Sequence, residues 1–169
     1  VVVVVELFED IVFYFFFFTY TDFNYHAEQL AGYLQRECGV KRGDRVGLYM
    51  QNCPQFIVAV YGILRADAVV VPVNPMNRAD EFSHYITDPQ SKVAICSADL
   101  AGFVATANAA LPEAQRVPQV LVTRYTDAMP EGALDPMEAP SALLETWLRA
   151  EHPLPAGFTR WTDALDMGL

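Results

Sequence analysis

The sequence predicts an α/β fold, an open, mostly parallel, doubly wound sheet flanked by helices. Three observations carry this expectation. Two short apolar runs, Val46–Met50 and the more β-branched Ala68–Val73, suit strands buried on both faces, as in parallel sheets, and Lys92–Cys96 and Val120–Thr123 read as two further short strands. Between them lie stretches with apolar residues at helical spacing, so the chain alternates β-α-β-α-β-α-β after one leading helix. The stretch from Gly39 to Pro75 holds strand, helix and strand in a length suited to one right-handed crossover.

Val1–Val5 and Phe15–Phe18 are homopolymeric runs of aggregation-prone β-formers without chemical groups, and Ile11–Phe18 reads literally as a strand. The first helix is expected from Thr19 to Glu37. Thr19 and Asp22 fit the T-x-x-D capping pattern, and Phe23, Ala27, Leu30, Ala31 and Leu34 share a face. Gly39 stands where a left-handed residue closes that helix. His26 lies beside the apolar stripe with no second ligand at i+3 or i+4, and reads as a boundary residue.

In the crossover, Asn52 is expected to cap a helix with Pro54 in its first turn and Phe56, Val60, Ile63 and Leu64 on its buried face. Asn77 with Asp80 offers the next helix start, Phe82, Tyr85 and Ile86 its buried face, and Asp88-Pro89 its stop. Ala98–Leu111 places Leu100, Phe103, Val104, Ala107 and Leu111 at helical spacing before Pro112. Beyond Arg124 prolines and acids accumulate: 127–140 reads as an exposed loop, 141–149 as a short helix, and the remainder as an extended segment. The expected division is an irregular stretch over 1–18, an α/β core over 19–124 and a proline-rich acidic connection over 125–169.

Composition narrows the function classes. A chain of 169 residues with 53% apolar and 19% charged residues can bury a substantial core. A net charge of −10, with eleven Lys and Arg residues that form no basic stripe, argues against nucleic acid and against an anionic membrane surface. The opening apolar stretch is broken by Glu6, Glu9 and Asp10 and is too short for a transmembrane segment. Cys38, Cys53 and Cys96 show neither C-x-x-C nor zinc spacing, which fits buried thiols in a reducing cytoplasm.

Motifs for chemistry are absent from the residues themselves. Gly39, Gly43 and Gly47 precede or interrupt the first strand and cannot form a G-x-G-x-x-G turn, so they read as cap, turn and packing glycines. There is no G-x-x-x-x-G-K-[ST] loop, no G-x-S-x-G elbow and no paired base for Ser83, Ser91, Ser97 or Ser141. No catalytic or metal-binding residue is assigned. Ligands of open α/β sheets bind beyond the carboxyl ends of the strands, here Gln51-Asn52, Asn74–Asn77, Ser97 and Thr123-Arg124.

The order G-V-x-x-G-D-R-V from Gly39, M-x-N-x-P-x-F from Met50, G-I-L-R-A from Gly62 and V-P-V-N-P from Val71 resembles the N-terminal part of the AMP-forming acyl-CoA synthetases, in the adenylate-forming ligase superfamily, of the long-chain fatty-acid CoA ligase type. The likeness extends from Thr19 to Thr123, and Phe158-Thr159-Arg160-Trp161 is similar to the approach to that family's phosphate-binding loop.

The resemblance implies a truncated portion of an enzyme that converts a carboxylic acid, a fatty acid in this type, through an acyl-adenylate to an acyl-CoA. ATP, magnesium and CoA would serve the parent, none binding tightly to this segment, and the acid and CoA would be its partners. Asn74, Met76, Asn77 and Arg78 would lie toward the acyl or pantetheine side, with Met76 where some members place an Arg and Arg78 as its substitute. Asp67 stands where the family usually has Gly. The family's catalytic residues, including a Ser/Thr/Gly-rich loop ending in Pro-Lys-Gly, have no counterpart here, so the segment would be scaffold, inactive alone and prone to self-association. Alternatives are a noncatalytic α/β module binding a ligand or partner, and another adenylate-forming enzyme such as a peptide-synthetase adenylation domain or a luciferase-like ligase.

Overall fold

The β-branched runs do assemble into one sheet in the computed structural model, which describes residues 2–3, 18–128 and 146–168. In chain order the elements are β1 (Val2–Val3), β2 (Phe18–Thr19), α1 (Tyr20–Arg36), β3 (Arg45–Tyr49), α2 (Pro54–Arg65), β4 (Val69–Val73), α3 (Ala79–Thr87), β5 (Val93–Ser97), α4 (Ala101–Ala110), β6 (Gln119–Thr123), β7 (Thr159–Arg160) and α5 (Trp161–Met167). Strands β3 to β7 form a wholly parallel sheet in the order β4-β3-β5-β6-β7, while β1 and β2 pair antiparallel by themselves. Winding runs outward from β3 to β4, then crosses back to β5 and continues to β6, so the sheet is doubly wound with its switch point between β3 and β5.

Period-2 alternation sorts the strand side chains between two cores. Val46, Leu48, Val93, Ile95 and Leu121 pack beneath α1, α2 and α5. Tyr49, Ala94, Cys96, Val120 and Val122 pack beneath α3 and α4. Among the described residues no helix is long and apolar enough to cross a membrane.

Helix α1 starts as the sequence leads one to expect, with Thr19 and Asp22 closing a reciprocal capping box. Gly39 is left-handed at φ 60° but lies two residues beyond the C-cap Glu37. The G-D-R part of the first motif builds a turn: Lys41 N–H donates to Asp44 at 2.8 Å, and Lys92 pairs with the same carboxylate at 3.2 Å. The Lys41 amide, then Lys92, hold the Asp44 carboxyl below its ordinary range.

Several expectations are corrected. Cys53, not Asn52, is the N-cap of α2, because Pro54 takes the first helical position that its fixed φ and missing N–H suit. On α2 Ile63 is buried and Phe56 and Val60 pack partly buried against the same core, as expected; Val58, Ala59 and Gly62 complete the buried face, while Leu64 is 53% exposed. Gly62 turns the face, since a Cβ there would lie 2.7 Å from Leu30 Cδ2. Arg78, not Asn77, is the N-cap of α3, its N–H donating to Glu81 at 2.9 Å. Phe82 and Ile86 are buried on α3, and Tyr85 stays on its exposed side. Strand β4 is an edge strand rather than one buried on two faces, with Val69 46% exposed. Pro72, which cannot donate to a ladder, is the sequence signal for an edge. At Gly47 an added Cβ meets nothing nearer than 3.8 Å, so packing does not require glycine there.

Within the region read as an extended connection, β7 adds a fifth strand beside β6, and α5 follows it directly. Trp161, Ala164 and Leu165 are buried against the α1 layer, and Gly32 of α1 comes against the Gly168 carbonyl oxygen. Of the expected 127–140 loop only 127–128 is described, ending the 3-10 turn Tyr125–Ala128. Of the expected 141–149 helix, a helical turn at 146–148 is described, and most of Ile11–Phe18 lies outside the described residues.

Asp67 has φ 59° and occupies the left-handed region that costs an L-residue roughly 1–2 kcal/mol. Asp67→Gly removes that strain but adds unfolded-chain entropy, so the expected result is a net gain of up to about 1 kcal/mol, read as a rise of a few degrees in melting temperature.

Candidate functional site at the carboxyl edge of the sheet

Parallel pairing brings the ends of all five strands to one edge, where Val73, Tyr49, Cys96, Val122 and Arg160 lie in one row across the sheet. The segment singled out from the sequence leaves this edge at the end of β4. Asn74 shapes the turn, its Oδ1 accepting from Met76 N–H at 2.9 Å and its carbonyl from Asn77 N–H at 3.0 Å. Asn77 in turn offers its carbonyl to the Tyr49 hydroxyl. Arg78 caps α3, and its guanidinium carbon sits 5.0 Å from the centre of the Phe103 ring, a cation–π contact tying α3 to α4. Met76 is 75% exposed and joins this network through its backbone N–H.

Tyr49 anchors the group. Its ring stacks on Phe82 at 4.6 Å, and burial pushes its phenol up to about 12, helped by Cys96 and Asp99 and opposed by Arg78.

A second polar group gathers at the switch point between β3 and β5, and sequence reasoning missed most of it. Tyr125 reaches back from the end of β6 so that its hydroxyl accepts the Gln51 N–H at 3.2 Å. Burial raises its phenol far above the ordinary range, Asp99 adds to the rise, and the Ser97 side chain, which approaches without a well-formed hydrogen bond, works against it. Ser97 Oγ, Asp99 Oδ1 and Gln55 Oε1 are buried without a hydrogen-bond partner among the described residues. Such atoms are costly unless a donor, water or ligand meets them. Gln51 and Ser97 were legible as strand ends. Asp99 and Tyr125, each two residues past the end of a strand, could have been found by the same rule.

The three thiols are structural. Burial is the main cause that pushes Cys38 up to about 11 and Cys53 up to about 12, and Cys96 higher still. Folded protein at pH 8 should therefore react with a disulfide reagent only at the rate of unfolding, whereas denatured protein should expose three fast thiols. The linked stability is full below the unfolded thiol value of about 8.5 and is lost as pH rises toward the folded values. A fast-reacting thiol in native protein would contradict this. Among the described residues no three or more His, Cys, Asp and Glu side chains gather as a set that could hold a metal ion.

An open doubly wound α/β domain with its unmet polar groups at the carboxyl edge is a ligand-binding class of protein. The model of the AMP-binding enzyme family matches residues 6–159, and the chain belongs to that family. It is 35% identical over 111 residues to the long-chain-fatty-acid–CoA ligase of Salmonella typhimurium, covering 66% of this chain and 19% of that protein. Against the long-chain-fatty-acid–CoA ligase of Bacillus subtilis it is 32% identical over 118 residues, covering the same 66% and 19%. The chain thus spans under a fifth of the length of these curated relatives. Among solved structures, the crystal structure of the anthranilate CoA ligase AuaEII in complex with anthranoyl-AMP has a TM-score of 0.66 at 17% identity. It covers 89% of this chain and 23% of that one, a likeness of fold.

Proposed function

We propose that the chain is part of an ATP-dependent, AMP-forming acid–thiol ligase that activates a fatty acid in the cytoplasm. The family match over residues 6–159 is the observation that carries this reading, and the fatty-acid ligase relatives favour the substrate class. In the first step a carboxylate oxygen attacks the α-phosphorus of ATP and pyrophosphate leaves. In the second the thiol sulfur of CoA attacks the acyl carbon and AMP leaves with its phosphate oxygen.

In this reading the described residues are scaffold. The parallel sheet fixes one edge, and the turn Asn74–Arg78, tied to Tyr49 and Phe103, forms a wall on the acyl or pantetheine side. Residues 19–124 are the core of this scaffold, 125–169 lead from it toward the phosphate-binding loop, and neither stretch binds ATP or CoA tightly alone. Among the described residues no three or more His, Cys, Asp and Glu side chains converge, so none of these is proposed to hold magnesium. Self-association of the isolated chain through the β4 edge, where Val69 is exposed, belongs to the same proposal.

The test is product analysis with palmitate, ATP, magnesium and CoA. The purified full-length protein should form palmitoyl-CoA and AMP in equal amounts, and residues 1–169 expressed alone should form neither. ADP as the nucleotide product, or AMP formation that ignores the acid, would overturn the reading.

A further inference from the structure

A cavity of about 30 Å³ lies at the carboxyl edge of the sheet, on the opposite side from β4, where β6 and β7 end next to each other. Arg160 pairs with Val122 in the ladder and Arg124 stands one residue past the end of β6, so two arginines start from neighbouring strand ends, and both line the cavity. His152 and Thr162 add to its polar lining. Val122 and Leu154 close it on the side of the core beneath α3 and α4.

The positive charge gathered here is not met by the chain itself. Neither guanidinium has an ion pair or a side-chain hydrogen bond among the described residues, and neither does the His152 ring. Asp127 is the one carboxylate among the described lining residues, and it forms an ion pair with neither arginine. Its Oδ2 is engaged in the turn, accepting from Arg124 N–H at 2.8 Å and from the Thr123 hydroxyl at 3.3 Å. Composition does not account for the cluster, because residues 125–169 hold eight acids and only two bases in a chain of net charge −10. Like charges brought together repel unless an anion lies between them.

Size and donor set select that anion. Each guanidinium presents a planar fork of N–H groups that matches two oxygens of one oxyanion, and the Thr162 hydroxyl and a ring N–H of His152 are further donors. The volume has room for roughly two waters, which admits one oxyanion group and excludes a nucleoside. Arg124 and His152 are half-buried, while Arg160 and Thr162 are exposed and form the mouth.

We propose that this cavity binds a phosphate dianion, free or as the head group of a monoester, clamped between Arg124 and Arg160 with donors from His152 and Thr162. The site uses none of the Asn74–Arg78 residues and no adenylation step, so it stands or falls apart from the ligase reading.

The probe is ³²P-labelled orthophosphate in equilibrium dialysis against the purified full-length protein, without ATP, CoA or acid. The expected result is saturable binding with a Kd of about 1 mM or tighter. Arg160→Gln alters an exposed side chain without a partner, so the melting temperature should not move while affinity falls by about tenfold, the loss of a charge-assisted fork. Arg124→Gln should weaken binding by a similar factor. Asp127→Asn keeps an acceptor for the Arg124 N–H and removes the opposing charge, so affinity should rise by roughly threefold. Displacement of the label by methyl phosphate would identify a monoester as the ligand, and failure to displace it would identify free phosphate; either result upholds a phosphate site. No saturable binding up to about 10 mM would overturn the proposal. So would binding that Arg160→Gln leaves intact, which puts the phosphate elsewhere in the protein, or an Asp127→Asn variant that melts like the parent and binds more weakly.

Discussion

Phe82→Ala should cost about 3–5 kcal/mol, the usual loss for emptying a buried aromatic site. Phe82 is 1% exposed and lies between α3 and the sheet, where it stacks on Tyr49 at 4.6 Å. The cavity would form beneath the one side chain that ties the end of β3 to the Asn77 carbonyl, so the damage reaches the candidate site as well as the core. The expected reading is a large drop in the urea midpoint at unchanged m-value, with Phe82→Leu recovering more than half of it. A loss under about 1 kcal/mol would mean that α3 does not pack on β3 as described.

Gly62→Val should be the next most damaging change, at about 3 kcal/mol, near the upper end for forcing extra atoms into a packed core. A Cβ at Gly62 would stand 2.7 Å from Leu30 Cδ2 and 3.0 Å from Leu30 Cβ, and Leu30 is fully buried between α1 and α2. Helix propensity favours valine over glycine by a few tenths of a kcal/mol, which is too little to reverse the sign. Adding Leu30→Ala to Gly62→Val should give a double mutant about 1–2 kcal/mol more stable than the sum of the two single losses, because one cavity accepts the other's bulk. Strict additivity in urea unfolding would contradict this contact.

The centre of the sheet was legible because β3, β5 and β6 are buried on both faces, which leaves uninterrupted apolar runs. The edges were harder. In β4 the run Val69–Val71 suggested a buried strand and Pro72 an edge, and the proline was the better guide, since a missing N–H cannot be hidden inside a ladder. The two residues of β7 have no signal of their own and become a strand only by pairing with Leu121 and Val122, a distant part of the chain. Helix faces were read to within one or two side chains. Leu64 and Tyr85 have helical spacing but lie just outside the arc the sheet covers, and Gly62, silent in a hydrophobicity pattern, sets where that arc falls on α2.

The candidate site divides in the same way. Asn74–Arg78 is contiguous in sequence and could be read as one turn and cap, although its ties to Tyr49 and Phe103 depend on tertiary packing. The switch-point group could not be assembled from the sequence alone. Gln51, Ser97 and Asp99 become neighbours because β5 lies next to β3, and Tyr125 joins them because β6 follows β5. Strand order is a non-local property that no local spacing encodes.

The most direct test of the central claim follows the oxygen atoms of the acid. Palmitate labelled with ¹⁸O in both carboxyl positions should be supplied to the purified full-length protein with ATP, magnesium and CoA, and the released AMP weighed by mass spectrometry. Adenylation joins a carboxylate oxygen to the α-phosphorus and thioester formation leaves it there, so each AMP should carry one ¹⁸O. AMP without the label, formed alongside palmitoyl-CoA, would show that no acyl-adenylate lies on the path.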